Sequence, residues 1–172
     1  MLNMRAHESR FQPGRTWYFT LNLANNDSHL LTTHARLLAE SSRDVEGLYP
    51  FDAVAAVILP NHMHMIWTLP HDDLDFDRRI SHLQSGFSRR VMDSDAIPAK
   101  KQKAHIWHRR YWDYQIRDLV DLERHIGYMH GNPVRHGLVS HPDKWRYSTW
   151  HKYKEEGFLL WTMNPLGTAG EP

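Results

Sequence analysis

Three observations in this 172-residue sequence predict an α+β fold built on an antiparallel sheet. Short segments alternate apolar and polar positions with the period of a strand; longer ones repeat apolar positions every three or four residues; and the two kinds follow in the order strand, helix, strand, strand, helix, strand, helix. That order is the split β-α-β pattern of the ferredoxin-like and RRM-like folds. Helices are then expected on one face of the sheet, with the other face free to hold a site.

The first strand is read at Thr16 to Leu23 (TWYFTLNL), aromatic and β-branched, entered through the Pro13-Gly14 turn. Asn25 to Ser28 offers caps for a helix whose apolar positions Leu31, Ala35, Leu38 and Val45 keep helical spacing up to Gly47. A second strand, Phe51 to Leu59, meets Pro60-Asn61 and turns into a third, His62 to Leu69, a connection short enough for a hairpin. Phe76, Ile80, Leu83, Phe87 and Val91 then mark one face of an amphipathic helix. A fourth strand is expected around Tyr111 to Ile116. Asp118 caps a last helix with a stripe of Leu119, Leu122, Ile126 and Met129, and Pro133 is expected to stop it. The chain is read as one domain over residues 1–150 with a tail over 151–172.

Composition removes several kinds of chemistry. With no Cys there can be no disulfide, thiolate zinc site, iron–sulfur cluster or cysteine nucleophile, so a metal would need His, carboxylate or amide ligands. The longest apolar run, Ala53 to Leu59, is far short of a membrane span, and the N-terminus lacks the apolar core of a signal peptide. A cytoplasmic protein with no membrane partner is the expectation.

The net charge of +1 hides an uneven distribution. Residues 1–85 carry 7 basic and 10 acidic side chains, residues 86–172 carry 14 and 10. Between Ile97 and Arg117 stand six cations (Lys100, Lys101, Lys103, Arg109, Arg110 and Arg117) against the single anion Asp113, interleaved with Trp107, Tyr111, Trp112 and Tyr114. Cations that neutralise phosphates among rings that stack on bases suit single-stranded nucleic acid. Lys100, Lys101, Lys103, Arg109 and Arg110 are the candidate phosphate contacts, and Trp107 and Trp112 the candidate stacking platforms. A solvated basic loop running into an aromatic strand is the plainer reading of the same residues.

In HMHMIWTL the period of two turns His62 and His64 to one face and Met63, Met65 and Trp67 to the other. Adjacent imidazoles on a strand can share one ion, although alone such a pair is more often two ordinary polar residues. A third group comes from the last helix. With Leu119 at zero and 100° per residue, the apolar stripe centres at about 320°, while Tyr128 falls at about 180° and Asn132 at about 220°. Tyr128 is thus expected to turn away from the packed stripe and to share a face with Asn132, whose amide oxygen can ligate an ion. His130 and His136 read as structural or phosphate-contacting residues. Tyr111, Tyr114, Tyr147 and Tyr153 are rival nucleophiles by residue type, Tyr153 foremost because a tail can reach a site.

With these residues in hand, ILPNHMHMIW followed about 60 residues later by GYMHGNPVRHGLV resembles the single-tyrosine HUH transposases, and among them the REP-associated tyrosine transposases. The segments PGRTWYFTLNL and DKWRYST are similar to the same branch, and the likeness spans roughly residues 10 to 150. The resemblance implies the HUH nuclease fold. It implies a divalent cation, Mg²⁺ or Mn²⁺, on His62, His64 and Asn132, with Tyr128 as nucleophile. Insertion-sequence relatives often have Gln where this chain has Asn132, whereas the REP-associated branch resembles this chain in having Asn. It further implies cleavage and rejoining of single-stranded DNA hairpins, REP-like palindromes, through a 5′-phosphotyrosine, by a monomer or homodimer. Two other classes stay open on the residues alone: a non-catalytic single-stranded nucleic-acid-binding protein on the same fold, and a hydrolytic metalloenzyme using a metal-bound water.

Overall fold

The computed structural model describes residues 6–94 and 105–157. Four strands form one antiparallel sheet: β1 (Thr16–Asn22), β2 (Asp52–Ile58), β3 (His62–Thr68) and β4 (Trp112–Gln115), in the spatial order β2-β3-β1-β4. The helices are α1 (Ala6–Arg10), α2 (Leu30–Thr33), α3 (Ala35–Leu48), α4 (Phe76–Asp93), α5 (Leu119–Arg135) and α6 (Trp150–Glu155), with a 3₁₀ turn at Pro142–Lys144. Every expected strand is present within a residue or so of its expected ends. The first expected helix is divided at His34, with Ser28 Oγ accepting from the Leu30 amide ahead of it.

Strand alternation builds two cores. Phe19, Leu21, Met63, Met65 and Trp67 point to one face, where Leu31, Leu38 and Val45 of α2 and α3 and Ile80, Leu83, Phe87 and Val91 of α4 cover them. Tyr18, Val57 and Ile66 point to the other, against Leu122, Ile126 and Met129 of α5 and Tyr153 of α6. The α+β class and the ferredoxin-like order stand, but the second face is not free: α5 packs across it. The reason lies in the near-continuous apolar run of β2, which has two faces to bury. α5 leaves the imidazoles at the end of that face rather than on an open surface.

The outer edge of β2 is closed by the chain after α5. Ile58 N donates to Tyr147 O at 2.9 Å, Thr149 N to Ala56 O at 2.9 Å, and Trp145 Nε1 to Ile58 O at 2.9 Å, so this segment covers the end of the edge at residues 56–58. Packing thus continues past residue 150. Trp150 and Tyr153 are buried, and Tyr153 donates its hydroxyl to Val54 O at 2.8 Å. The remainder of the expected tail, 158–172, lies outside the described residues.

Pro133 does not stop the last helix; α5 runs two residues further, to Arg135. A proline in a final turn removes one helical donor, and the helix tolerates that where it is about to end. The stop is Gly137, at φ +69°, where Gly137 N donates to Val134 O and Leu138 N to Pro133 O, both at 2.9 Å. At the other end Asp118 caps as expected, accepting from Asp121 N at 2.8 Å.

Candidate active site

The site forms where the end of β3 meets the last turns of α5. Pairing Thr20 with His64 and Asn22 with His62 across the β1–β3 ladder sets both imidazoles on the α5 face, in a line with Thr16, Tyr18 and Thr20. The rings of His62 and His64 lie 5.1 Å apart. Tyr128 stands 6.2 Å from His64, ring to ring, edge to face. The structure brings His62, His64, Tyr128 and Asn132 together, as the spacing predicts.

It does so with Tyr128 inside rather than outside the packing. Tyr128 is only 7% exposed and Asn132 1%, because α5 is walled on one side by the sheet and on the other by the segment carrying α6, so more than one stripe is buried. Asn132 Nδ2 donates to the Tyr128 carbonyl at 3.1 Å. A carbonyl accepts only from the amide NH₂, so this bond fixes the orientation of the side chain and leaves Oδ1 as the atom turned elsewhere.

His64 is fully buried. Its Nδ1 lies 2.8 Å from the Tyr18 hydroxyl and 2.9 Å from the Thr20 hydroxyl, while its Nε2 has no hydrogen-bond partner among the described residues. Burial, then the neighbouring imidazoles of His62 and His136, hold its pKa well below the ordinary histidine value, and the Asn132 side chain, which approaches as a hydrogen-bonding group, acts in the opposite sense. His64 is therefore a neutral imidazole at physiological pH. His62 is half-buried, with Nδ1 2.7 Å from Asn61 Oδ1.

This donor set fits a divalent cation. Both histidines have Nδ1 engaged by a neighbour, the usual support of an imidazole that ligates through Nε2. Among the described residues no three His, Asp or Glu side chains gather to hold an ion, so a cation here would need the amide of Asn132 beside the imidazoles.

Among the further neighbours of the site, only His136 is singled out in the sequence, as a structural or phosphate-contacting residue. Arg135 lays its guanidinium over the Tyr128 ring, 4.2 Å from the centroid, and the exposed His136 sits 5.0 Å from the His62 ring. Tyr18 and Thr20 support His64. For these two a signal did exist: Thr16, Tyr18, Thr20 and Asn22 form a polar line at period two along β1, on the face that receives the imidazoles. His130, by contrast, is structural: buried, 2.9 Å from Thr149 Oγ1 and packed on Trp150 and Tyr153, with burial pushing its pKa down to about 3.

The rival tyrosines are otherwise engaged. The Tyr111 hydroxyl is bonded to Asp77, that of Tyr114 to Asp121 at 3.1 Å, and that of Tyr153 to a backbone carbonyl in the core. Tyr147 packs on Trp145 beside the β2 edge.

The basic segment divides. Arg109 and Arg110 are exposed and, with His105, Trp107 and His108, line a cleft beside Ala24 of about 730 Å³. Trp107 is no exposed stacking platform: its ring packs against Phe87, its Nε1 donates to Gln84 O at 3.1 Å and it pairs with Leu23, so it belongs to the core even where it borders the cleft. Trp112 is half-buried, stacked on Tyr114 and edge-on to Tyr18. Lys100, Lys101 and Lys103 lie outside the described residues.

Sheet order, two-sided packing and a His-x-His strand end facing a helical tyrosine define an α+β protein of the HUH nuclease fold. No family model matches the chain. A REP-associated tyrosine transposase of Escherichia coli is 36% identical over 168 residues, covering 98% of this chain and 93% of that protein. A putative REP-associated tyrosine transposase of Haemophilus influenzae is 32% identical over 153 residues, 87% of each. A solved structure, described as this type of transposase bound to a REP hairpin, superimposes with a TM-score of 0.80 at 34% identity over 94% of both chains. The chain belongs to the REP-associated tyrosine transposases and is an enzyme of that family. No described helix is long and apolar enough to cross a membrane.

Proposed function

We propose that this transposase binds a single-stranded DNA hairpin of the REP type and cleaves and rejoins DNA through a covalent bond to Tyr128. The observation that carries the reading is the convergence of Tyr128, Asn132 and the His62–His64 pair where α5 ends against β3. The hairpin in the related structure supports the substrate class. Such a substrate agrees with work in the cytoplasm, as monomer or homodimer.

In the reaction the Tyr128 hydroxyl loses its proton and its oxygen attacks the scissile phosphorus. The bond to the 3′ oxygen breaks, that oxygen takes up a proton, and the 5′-phosphate remains esterified to the tyrosine. A second 3′-hydroxyl reverses these steps on a new strand. The phosphoester is conserved throughout, so no nucleotide cofactor is consumed. His62, His64 and Asn132 would hold a divalent cation, Mg²⁺ or Mn²⁺, which supplies Lewis-acid polarisation of the phosphoryl oxygen when bound. Arg135 holds positive charge over the Tyr128 ring, where phenolate character develops as the proton leaves. Burial of Tyr128 limits the angles at which a phosphate can approach it, which favours one line of attack.

The test is an end-labelled REP-type hairpin with Mn²⁺, resolved on a denaturing gel. The wild-type chain is expected to give a slow-migrating protein–DNA adduct. Tyr128→Phe is expected to abolish that adduct, by at least about 10³-fold as for loss of a covalent nucleophile, while still shifting the hairpin on a native gel. An adduct that survives Tyr128→Phe refutes the assignment, free DNA fragments without adduct indicate a hydrolytic site, and intact DNA with the wild-type chain indicates a binding protein.

A further inference from the structure

The fold places more around His64 than the proposed reaction requires. Two hydroxyls, from Tyr18 and Thr20, converge on its Nδ1 at 2.8 and 2.9 Å, whereas Nε2 is buried without a partner among the described residues. Neither hydroxyl is free to drift. Thr20 is the direct cross-strand partner of His64, and Tyr18 stands on the same face two residues earlier. The Tyr18 ring is buried and walled by Trp112, edge-on at 5.5 Å, and by His125 at 5.1 Å.

Neutral imidazole carries one ring N–H, on Nδ1 or on Nε2. With the proton on Nδ1, the N–H points between two hydroxyl oxygens and an idle lone pair remains at Nε2. With the proton on Nε2, the buried N–H meets no acceptor in full hydrogen-bond geometry, only the Asn132 side chain within electrostatic reach, and two hydroxyls compete for one lone pair at Nδ1. A buried donor left unmade is the costlier defect.

We propose that Tyr18 and Thr20 are positioning residues that fix His64 as its Nδ1–H tautomer and thereby present the Nε2 lone pair to the divalent cation. The inference rests on the reading of His64 as a ligand and adds what sets its tautomer. Asn132 serves the same end from α5: its NH₂ is held by the Tyr128 carbonyl, so Oδ1 is the donor atom it has left. Strand and helix each hold one ligand by its far side, the arrangement that outer groups around a metal adopt.

Two measurements test this, one of which needs no cation. In cation-free protein with isotope-labelled histidine, long-range proton–nitrogen spectra assign the tautomer of each neutral ring. Wild-type His64 is expected as Nδ1–H, and Tyr18→Phe/Thr20→Val is expected to move it toward Nε2–H. A wild-type His64 found as Nε2–H overturns the proposal without recourse to any variant. The second measurement is Mn²⁺ affinity by calorimetry. Tyr18→Phe/Thr20→Val is expected to weaken it about 10- to 100-fold, the usual effect of removing an outer support, and each single variant less. Phe retains the ring that packs at Tyr18, and Thr20→Val alone serves if the double variant does not fold. Adduct formation by the variants is expected to recover at saturating Mn²⁺, whereas a generally damaged site stays slow. If the double variant binds Mn²⁺ like wild type while His64→Ala has lost it, the positioning role is wrong and the cation site stands. If His64→Ala also binds like wild type, the cation site itself is wrong.

Discussion

Among the histidines, burial separates roles that composition could not. His130 is 1% exposed, its Nδ1 without a hydrogen-bond partner among the described residues, packed on Trp150 and Tyr153 of α6, with its pKa pushed down to about 3. His64 is lowered as well, first by burial. The consequence for stability has a definite sign. An unfolded chain protonates these rings near pH 6.5, but the folded chain resists until far lower, so acid draws the equilibrium toward the unfolded state. His130 alone is expected to remove about 1.4 kcal/mol per pH unit below 6.5, or roughly 3 kcal/mol by pH 4, with the loss tapering near its folded value. Urea unfolding at pH 7, 5.5 and 4 measures this, and His130→Gln should flatten the decline. Neither His130 nor Tyr153 could be placed from sequence. α6 has only six residues, too few for a periodic pattern, so the aromatic core position at Tyr153 reads as tail.

α5 carries the proposed nucleophile, the proposed amide ligand and the arginine over that tyrosine ring within its last two turns, at Tyr128, Asn132 and Arg135. How it ends therefore matters more than how it begins. Pro133 deprives the Met129 carbonyl of a helical donor, and Gly137 secures the terminus by returning two amides to Val134 and Pro133. A Cβ at Gly137 meets no atom within 4 Å, so Gly137→Ala isolates the cost of φ +69° for an L-residue. That cost is about 1 kcal/mol, equivalent to a fall of about 2–4 °C in Tm for a domain of this size. Because the strain falls next to the site, adduct yield is expected to drop with temperature sooner than in wild type. A Tm unchanged within a degree, measured by scanning calorimetry, would show that the glycine is dispensable. The strands and the longer helices were legible because each is long enough to display its period. The side of the sheet that α5 covers was not: its stripe identifies a buried face without naming the partner, and only the two-sided apolar run of β2 hinted at it.

Over the whole molecule, the sheet separates two tasks. One face, under α3 and α4, is a plain apolar core; the other places polar groups at one end and apolar packing at the other, so the site is rigidly backed without being sealed. The basic segment adjoins the same end of β1 as the site does, since His108 N donates to Asn22 O and Asn22 pairs with His62. DNA lying along Arg109 and Arg110 would run past the imidazoles, which turns the charge asymmetry of the sequence into a spatial argument. Sequence could rank the cations in this segment but not the aromatics, because a tryptophan among arginines looks alike whether it faces solvent or, as Trp107 does, the core. Hairpin affinity is accordingly expected to fall steeply with salt, with a log–log slope that Arg109→Ala/Arg110→Ala reduces by about 1–2, each contact accounting for somewhat under one unit. Fluorescence anisotropy of a labelled hairpin across about 50–300 mM KCl reads the slope, with EDTA present so that cation binding does not enter. An unaltered slope in the double variant would place the phosphate contacts elsewhere. Trp107→Phe serves as the control, since a core residue should leave the slope intact and lower the stability instead.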